Sequence, residues 1–157
     1  MTTAADVLRL ALSAARSHPY GWLVSAGQDH PTARLVQHLT VTEDAVLQVG
    51  TSPQSRKAGE VRRSSWASYA VEDRAAFAYA TFSGPCTVVD DAAERAAAWA
   101  DGLEAFFPDG PAGDDFVLLR LAAERIELMD FTSGVHPDPY GLRPEVVQRS
   151  AGGWASE

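Results

Sequence analysis

The sequence predicts an α+β protein, mainly β, built on a small antiparallel barrel with flanking helices. Three observations lead there. Short apolar runs recur between tight turns along most of the chain. The links between the first runs are too short for parallel crossovers. Helical spacing is confined to three segments.

Residues 4–16 place Val7, Leu8, Ala11, Leu12 and Ala15 at helical spacing, with Thr2 or Thr3 as the cap and His18-Pro19 as the stop. Residues 20–25, 33–41 and 45–50 read as a three-stranded meander turning at 27–31 and 42–44. A loop at 51–54 leads to a short helix at 55–63. Residues 66–71 and 75–82 form a hairpin, and the second strand runs on to Val89 past Gly84-Pro85, which marks a bulge or bend. Asp90-Asp91 caps an Ala-rich helix over 92–105, stopped at 106–110. Residues 116–121 and 126–131 make the last hairpin. From Thr132 onward three prolines and four glycines interrupt any period. The expected organisation is one domain over 1–131 and an irregular tail over 132–157.

A chain of 157 residues with 46% hydrophobic and 22% charged residues has the balance of an ordinary globule. A net charge of −8 opposes nucleic-acid binding and anionic membrane surfaces as main roles. No apolar stretch reaches the roughly 18 residues of a membrane span. Met1 to Arg16 lacks the pattern of a secretory signal, so the cytoplasm is the expected compartment. The lone Cys86 fits that setting and reads as an inert core thiol.

The informative segment is Val49-Gly50-Thr51-Ser52-Pro53-Gln54-Ser55-Arg56-Lys57, where a strand hands over to a helix. A helix N-terminus offers unpaired N–H groups and partial positive charge. Cations there disfavour the helix itself. Arg56 and Lys57, the only lysine, therefore make sense around an anion, with Thr51 and Ser55 hydroxyls as further donors. The same residues also fit an ordinary Ser55 cap with both cations turned to water, and local pattern does not decide between the two. On the second strand, period 2 puts Arg34, Val36 and His38 on one face, from which Arg34 could reach the Thr51 loop.

The order of Arg34-x-Val36, Thr51 and Ser55-Arg56-Lys57, then Gly84, Phe106-Phe107-Pro108-Asp109-Gly110 and Val117-Leu118-Leu119-Arg120, resembles the pyridoxamine-phosphate-oxidase-like, flavin-binding split barrels. Within them it is most similar to the general-stress-protein branch, over about residues 5–131. The resemblance implies a six-stranded antiparallel split barrel that forms a homodimer with FMN at the interface. It implies that Arg34, Thr51, Ser55, Arg56 and Lys57 hold the flavin phosphate. Gly50 would bring backbone near the isoalloxazine, and Tyr79 would touch the ring from the partner chain. Two features depart from relatives. The Arg-x-His pair that grips the substrate phosphate in pyridoxamine-phosphate oxidases is absent, so the resemblance does not extend to that reaction. Met129 stands where small relatives often carry Trp.

Other chemistry is sparse. The four histidines include no close pair, which argues against a tight metal site. G-x-S-x-G and GxGxxG are both absent. Trp99, Leu103, Phe106 and Phe107 read as packing residues. Three functions follow: an FMN-dependent oxidoreductase on an unidentified small molecule, a non-catalytic flavin carrier or sensor, and a barrel using a deazaflavin coenzyme or haem. Haem would need His38 or His136 as its axial ligand.

Overall fold

A computed structural model describes residues 2–137 and 141–157. Helix α1 (Ala4–Ser17) precedes strands β1 (Tyr20–Ala26), β2 (Pro31–Val41) and β3 (Val46–Thr51). Helix α2 (Arg56–Ser64) leads to β4 (Trp66–Asp73) and the long β5 (Ala78–Val89). Helix α3 (Ala92–Ala98) and a 3₁₀ turn (Leu103–Ala105) follow, then β6 (Val117–Ala122), β7 (Arg125–Asp130), β8 (Glu145–Ser150) and β9 (Gly153–Ser156).

Six strands close an antiparallel barrel in the order β4-β1-β2-β3-β6-β5, with β5 pairing back to β4. Closure depends on β5 changing partners along its length. Ala78 to Ser83 pair with β7, and Cys86 to Val89 pair with β6. Gly84 sits at the change, where a Cβ would collide with the Ala122 carbonyl oxygen. The bulge or bend expected at Gly84-Pro85 falls at this change of partner.

The barrel interior holds Leu23, Leu47, Tyr69, Phe82, Leu119 and Ile126, all buried. Helix α1 packs Val7, Ala11, Leu12 and Ala15 into the same cluster. Its start is a capping box: Thr3 Oγ1 accepts from the Asp6 N–H at 3.1 Å, and Asp6 Oδ2 accepts from the Thr3 N–H at 3.1 Å. A second, smaller cluster joins Val89, Ala98, Phe116 and Leu118 to Leu39, Trp99, Leu103 and Phe107.

Two segments differ from the sequence expectation. The helix predicted over 92–105 ends at Ala98. Trp99 leaves the helix to pack edge-on against Phe116, with centroids 5.0 Å apart, and Gly102 then adopts a left-handed φ of 93°. The tail expected to be irregular carries β8 and β9, a hairpin that extends the sheet from β7. Val147 is the one residue of this hairpin in the core, which is why no apolar period announces it. Backbone pairing and Arg149, stacked 4.8 Å from the Trp154 ring centre, supply the rest. Among the described residues no helix is long and apolar enough to cross a membrane.

His38 is buried in the barrel, on the strand face it shares with Arg34 and Val36. Its Nδ1 lies 2.8 Å from the Tyr69 hydroxyl, and both side chains are buried. Burial lowers the His38 pKa below its ordinary 6.5, partly offset by a bond to the Ala15 backbone. The neutral imidazole therefore stabilises the fold above pH 6.5, and that contribution is lost as pH falls through the depressed folded value. Denaturant unfolding from about pH 8 to about pH 5 should show this acid-side loss. Tyr69→Phe should cost about 1–3 kcal/mol at neutral pH by leaving a buried nitrogen unpaired, and should change the acid-side slope. An unchanged pH profile would exclude His38 as its source.

Candidate functional site

Where β3 ends and α2 begins, a groove of about 400 Å³ opens on the barrel surface. Leu35, Gln37 and Leu39 of β2, with Gly50 and Thr51 of β3, form one wall. Leu103, Phe106 and Phe107 form the other, and Lys57 reaches the groove from the first turn of α2. Its size and apolar lining with few polar groups are those of a small-molecule site.

The second wall stands on a buried arginine. Arg95 of α3 donates from Nη1 to the carbonyls of Gly113 and Phe116, at 2.7 and 2.8 Å. These bonds pin the long connection between α3 and β6. Phe107 packs against Phe116 at 4.9 Å, while Phe106 projects into solvent, 77% exposed. The sequence treats Leu103, Phe106 and Phe107 as packing alone. The structure gives all three a side on the groove as well.

The polar end is built by the strand-to-helix turn. Ser55 caps α2, its Oγ accepting from the Ala58 N–H at 3.3 Å and from Thr51 Oγ1 at 3.1 Å. Both acceptor positions of that hydroxyl are used, so its proton is left to donate elsewhere. Lys57 is half-buried and makes no hydrogen bond or ion pair among the described residues. Burial lowers its pKa, and the nearby charges of Arg34 and Arg56 lower it further. Lys57 lines the groove together with Thr51, and Ser55 stands behind Thr51 at the start of α2. A partly desolvated ammonium, hydroxyls and the open N–H groups of a helix start are donors that suit a phosphate monoester.

Arg34 lies beside the groove in a polar cluster of its own. Its guanidinium donates to the Leu23 carbonyl, Ser25 Oγ, Thr32 Oγ1 and Glu60 Oε2, the last at 2.7 Å. Glu60 is 2% exposed and also accepts from Ser25 Oγ at 2.6 Å and Thr32 Oγ1 at 2.7 Å. Burial raises the Glu60 pKa, but the bonds from Ser25, Thr32 and Arg34 outweigh it and bring it down from 4.5 to about 2. Arg56 is 77% exposed, with Nε 3.7 Å from Glu60 Oε1. Glu60 was not singled out by the sequence reading, although Arg56-x-x-x-Glu60 is the spacing of a helical ion pair. Ser25 and Thr32 went unnoticed because isolated hydroxyls on strands carry no signal of their own.

The structure thus gathers Gly50, Thr51 and Lys57 at the groove and Ser55 behind Thr51, with Arg34 and Arg56 joined through Glu60. Tyr79 stands apart, on β5 in a shallow depression with Phe77, Met129 and Phe131. Burial raises its pKa, helped by the Glu127 charge. Cys86 is buried, its thiol pushed up to about 12 by burial, in keeping with an inert core residue. Among the described residues no cluster of His, Cys, Asp or Glu could hold a metal ion. His38 is enclosed in the barrel, and the His136 ring stacks on Phe131 at 4.7 Å.

The sequence model of the family described as pyridoxamine 5'-phosphate oxidase like matches residues 14–136. Among curated proteins nothing matches the chain. Several solved structures share its fold. One is a Clostridium acetobutylicum protein related to general stress protein 26, of the pyridoxinephosphate oxidase family. It superposes with a TM-score of 0.72 at 18% identity, over 81% of this chain and 90% of that one. A pyridoxamine 5'-phosphate oxidase-related, FMN binding protein from Nostoc punctiforme gives 0.65 at 19%, over 96% and 93%. A heme binding protein from Mycobacterium smegmatis gives 0.67 at 19%, over 90% and 57%. At these identities the likeness is one of fold.

Gly50 closes the apolar end because a Cβ there would lie 2.7 Å from Phe116 Cε2. Gly50→Ala should therefore destabilise the protein by about 1–3 kcal/mol in thermal or denaturant unfolding. An unchanged stability would show that the Phe116 ring moves aside freely.

Proposed function

The chain belongs to the pyridoxamine 5'-phosphate oxidase-like family, and we propose that it binds FMN in the groove as an FMN-dependent oxidoreductase acting on a small molecule, in the manner of general stress proteins. The observation that carries this reading is Lys57, without an ion partner among the described residues, lining the groove with Thr51, whose hydroxyl meets that of the α2 cap Ser55. In this reading these groups and the first N–H groups of α2 hold the phosphate, Arg56 adds charge at the rim, and Arg34 stands behind them against Glu60. The apolar walls exclude water from the ring, and Gly50 lets backbone approach it. Bound FMN supplies the electron transfer, and the chain supplies position and polarity.

A homodimer completes the reading. Tyr20, Trp22, Leu35 and Trp66 are each about half exposed, and Trp22 pairs directly with Leu35 and Ala70 on the outward side of the sheet. Such aromatic exposure marks an interaction surface. The Tyr79 depression, remote from the groove of its own chain, would then meet the groove of the partner. The proposed setting is the cytoplasm.

A non-catalytic flavin carrier is the second reading. It is favoured by a groove whose polar lining, among the described residues, is Tyr20, Gln37, Thr51 and Lys57, with no histidine or carboxylate. The haem alternative is weakened because His38 is enclosed and already bonded to Tyr69.

Titration with FMN and with riboflavin, which lacks the phosphate, tests the site. Lys57→Ala should weaken FMN binding by about 1.5–3 kcal/mol and leave riboflavin nearly unchanged. The exposed Arg56→Ala should cost less than about 1 kcal/mol. A wild-type protein that binds both flavins equally, or neither, overturns the reading. Trp22→Asp should convert a dimer to a monomer in analytical ultracentrifugation, and a wild-type monomer would remove the shared site.

A further inference from the structure

The tip of the β4–β5 hairpin holds an aromatic ring in a costly position. Asp73 sets the loop, its Oδ1 accepting from the Ala75 and Ala76 N–H groups at 3.0 and 3.2 Å, and Thr132 Oγ1 donates to the Ala76 carbonyl at 3.1 Å. Phe77 closes the loop at a left-handed φ of 48°. Hairpin loops ordinarily place Gly or Asn there, because a bulky residue is strained in that region. The ring is 77% exposed, at the lip of the depression that holds Tyr79, Met129 and Phe131. Backbone strain and contact with water both weigh against phenylalanine, so packing within the chain does not account for it.

We propose that Phe77 of one protomer reaches across the dimer two-fold and closes the groove of its partner over the flavin ring. The inference rests on the flavin-binding dimer described above and adds to it a residue supplied in trans.

The sheet register carries it. The outward face runs β2-β1-β4-β5. Leu35, Trp22, Ala70 and Thr81 form one row across it. Gln37 pairs with Tyr20 and Glu72 with Tyr79, which makes the next row. A two-fold axis along the strands, between β1 and β4, sets β5 of one chain over β2 of the other at the same level. Tyr79 then faces Gln37 of the partner, and Phe77, two residues earlier, faces Leu39. Gln37 and Leu39 both line the groove. Two convex barrels that touch at β1 and β4 leave a cleft on either side, and a ring projecting from a hairpin tip is suited to span it. The groove's own walls leave its outer side open, and Phe77 covers that side.

Phe77→Gly removes the ring and suits the left-handed backbone. It should weaken FMN and riboflavin alike by about tenfold, since the contact is to the ring and not the phosphate. The melting temperature of the flavin-free variant should stay level or rise, by up to about 4 °C. Phe77→Tyr should keep both affinities within about twofold of wild type. Mixed dimers of Phe77→Gly and Lys57→Ala chains, co-expressed with different tags, locate the contact. One groove of each mixed dimer has its own Lys57 and the other chain's Phe77, and should bind FMN as wild type does.

An unchanged flavin affinity in Phe77→Gly overturns the proposal. So does weakened binding that mixed dimers do not restore, which would place the contact within one chain. A clear fall in the flavin-free melting temperature would make Phe77 a packing residue and overturn it as well. A wild-type monomer that still binds FMN overturns the proposal and leaves the groove reading standing. A wild-type dimer that binds no flavin overturns the groove reading itself.

Discussion

A carboxylate enclosed in protein is costly unless its lone pairs are met and its charge is paired. Glu60 meets both conditions through Ser25, Thr32 and Arg34, which come from β1 and β2. The arrangement fixes α2 against the first hairpin of the barrel. With α2 fixed, its first turn is aimed at the end of β3, and Ser55 and Thr51 meet at 3.1 Å. Among the described residues Lys57 pairs with no carboxylate. The groove's polar end is therefore a consequence of how the helix is anchored, one turn further along.

The two hydrophobic clusters divide the remaining work. The barrel interior and α1 provide the rigid body, with His38 and Tyr69 satisfying each other inside it. The smaller cluster around Phe116 supports the outer wall of the groove. It depends on Arg95, which holds two carbonyls of a connection too long to define itself. Stability of the barrel and shape of the groove are thus carried by different residues. Changes in the connection can reshape the site without opening the core.

Much of the fold is legible in the sequence because short strands with tight turns leave few alternatives. The shared face of Arg34, Val36 and His38, the cap at Thr3, the glycine at Gly84 and the helix start at Ser55 all follow from local rules. The C-terminal hairpin is not legible, since an edge hairpin with Val147 alone in the core has no pattern to read. The early end of α3 is hidden for a related reason. Ala-rich propensity favours continuation, and the pull of Trp99 toward Phe116 is a tertiary effect. The anion-site residues are legible as a set, because cations at a helix start invite explanation. Their division into free and paired cations is not, because it turns on Glu60, whose partners are distant in sequence.

A crystal structure of the protein with FMN bound tests the central claim most directly. The account predicts phosphate oxygens within about 2.7–3.2 Å of Lys57 Nζ and Ser55 Oγ, and the ring between Gly50 and the Leu103–Phe107 wall. A flavin bound elsewhere, with Lys57 turned to solvent, would contradict it.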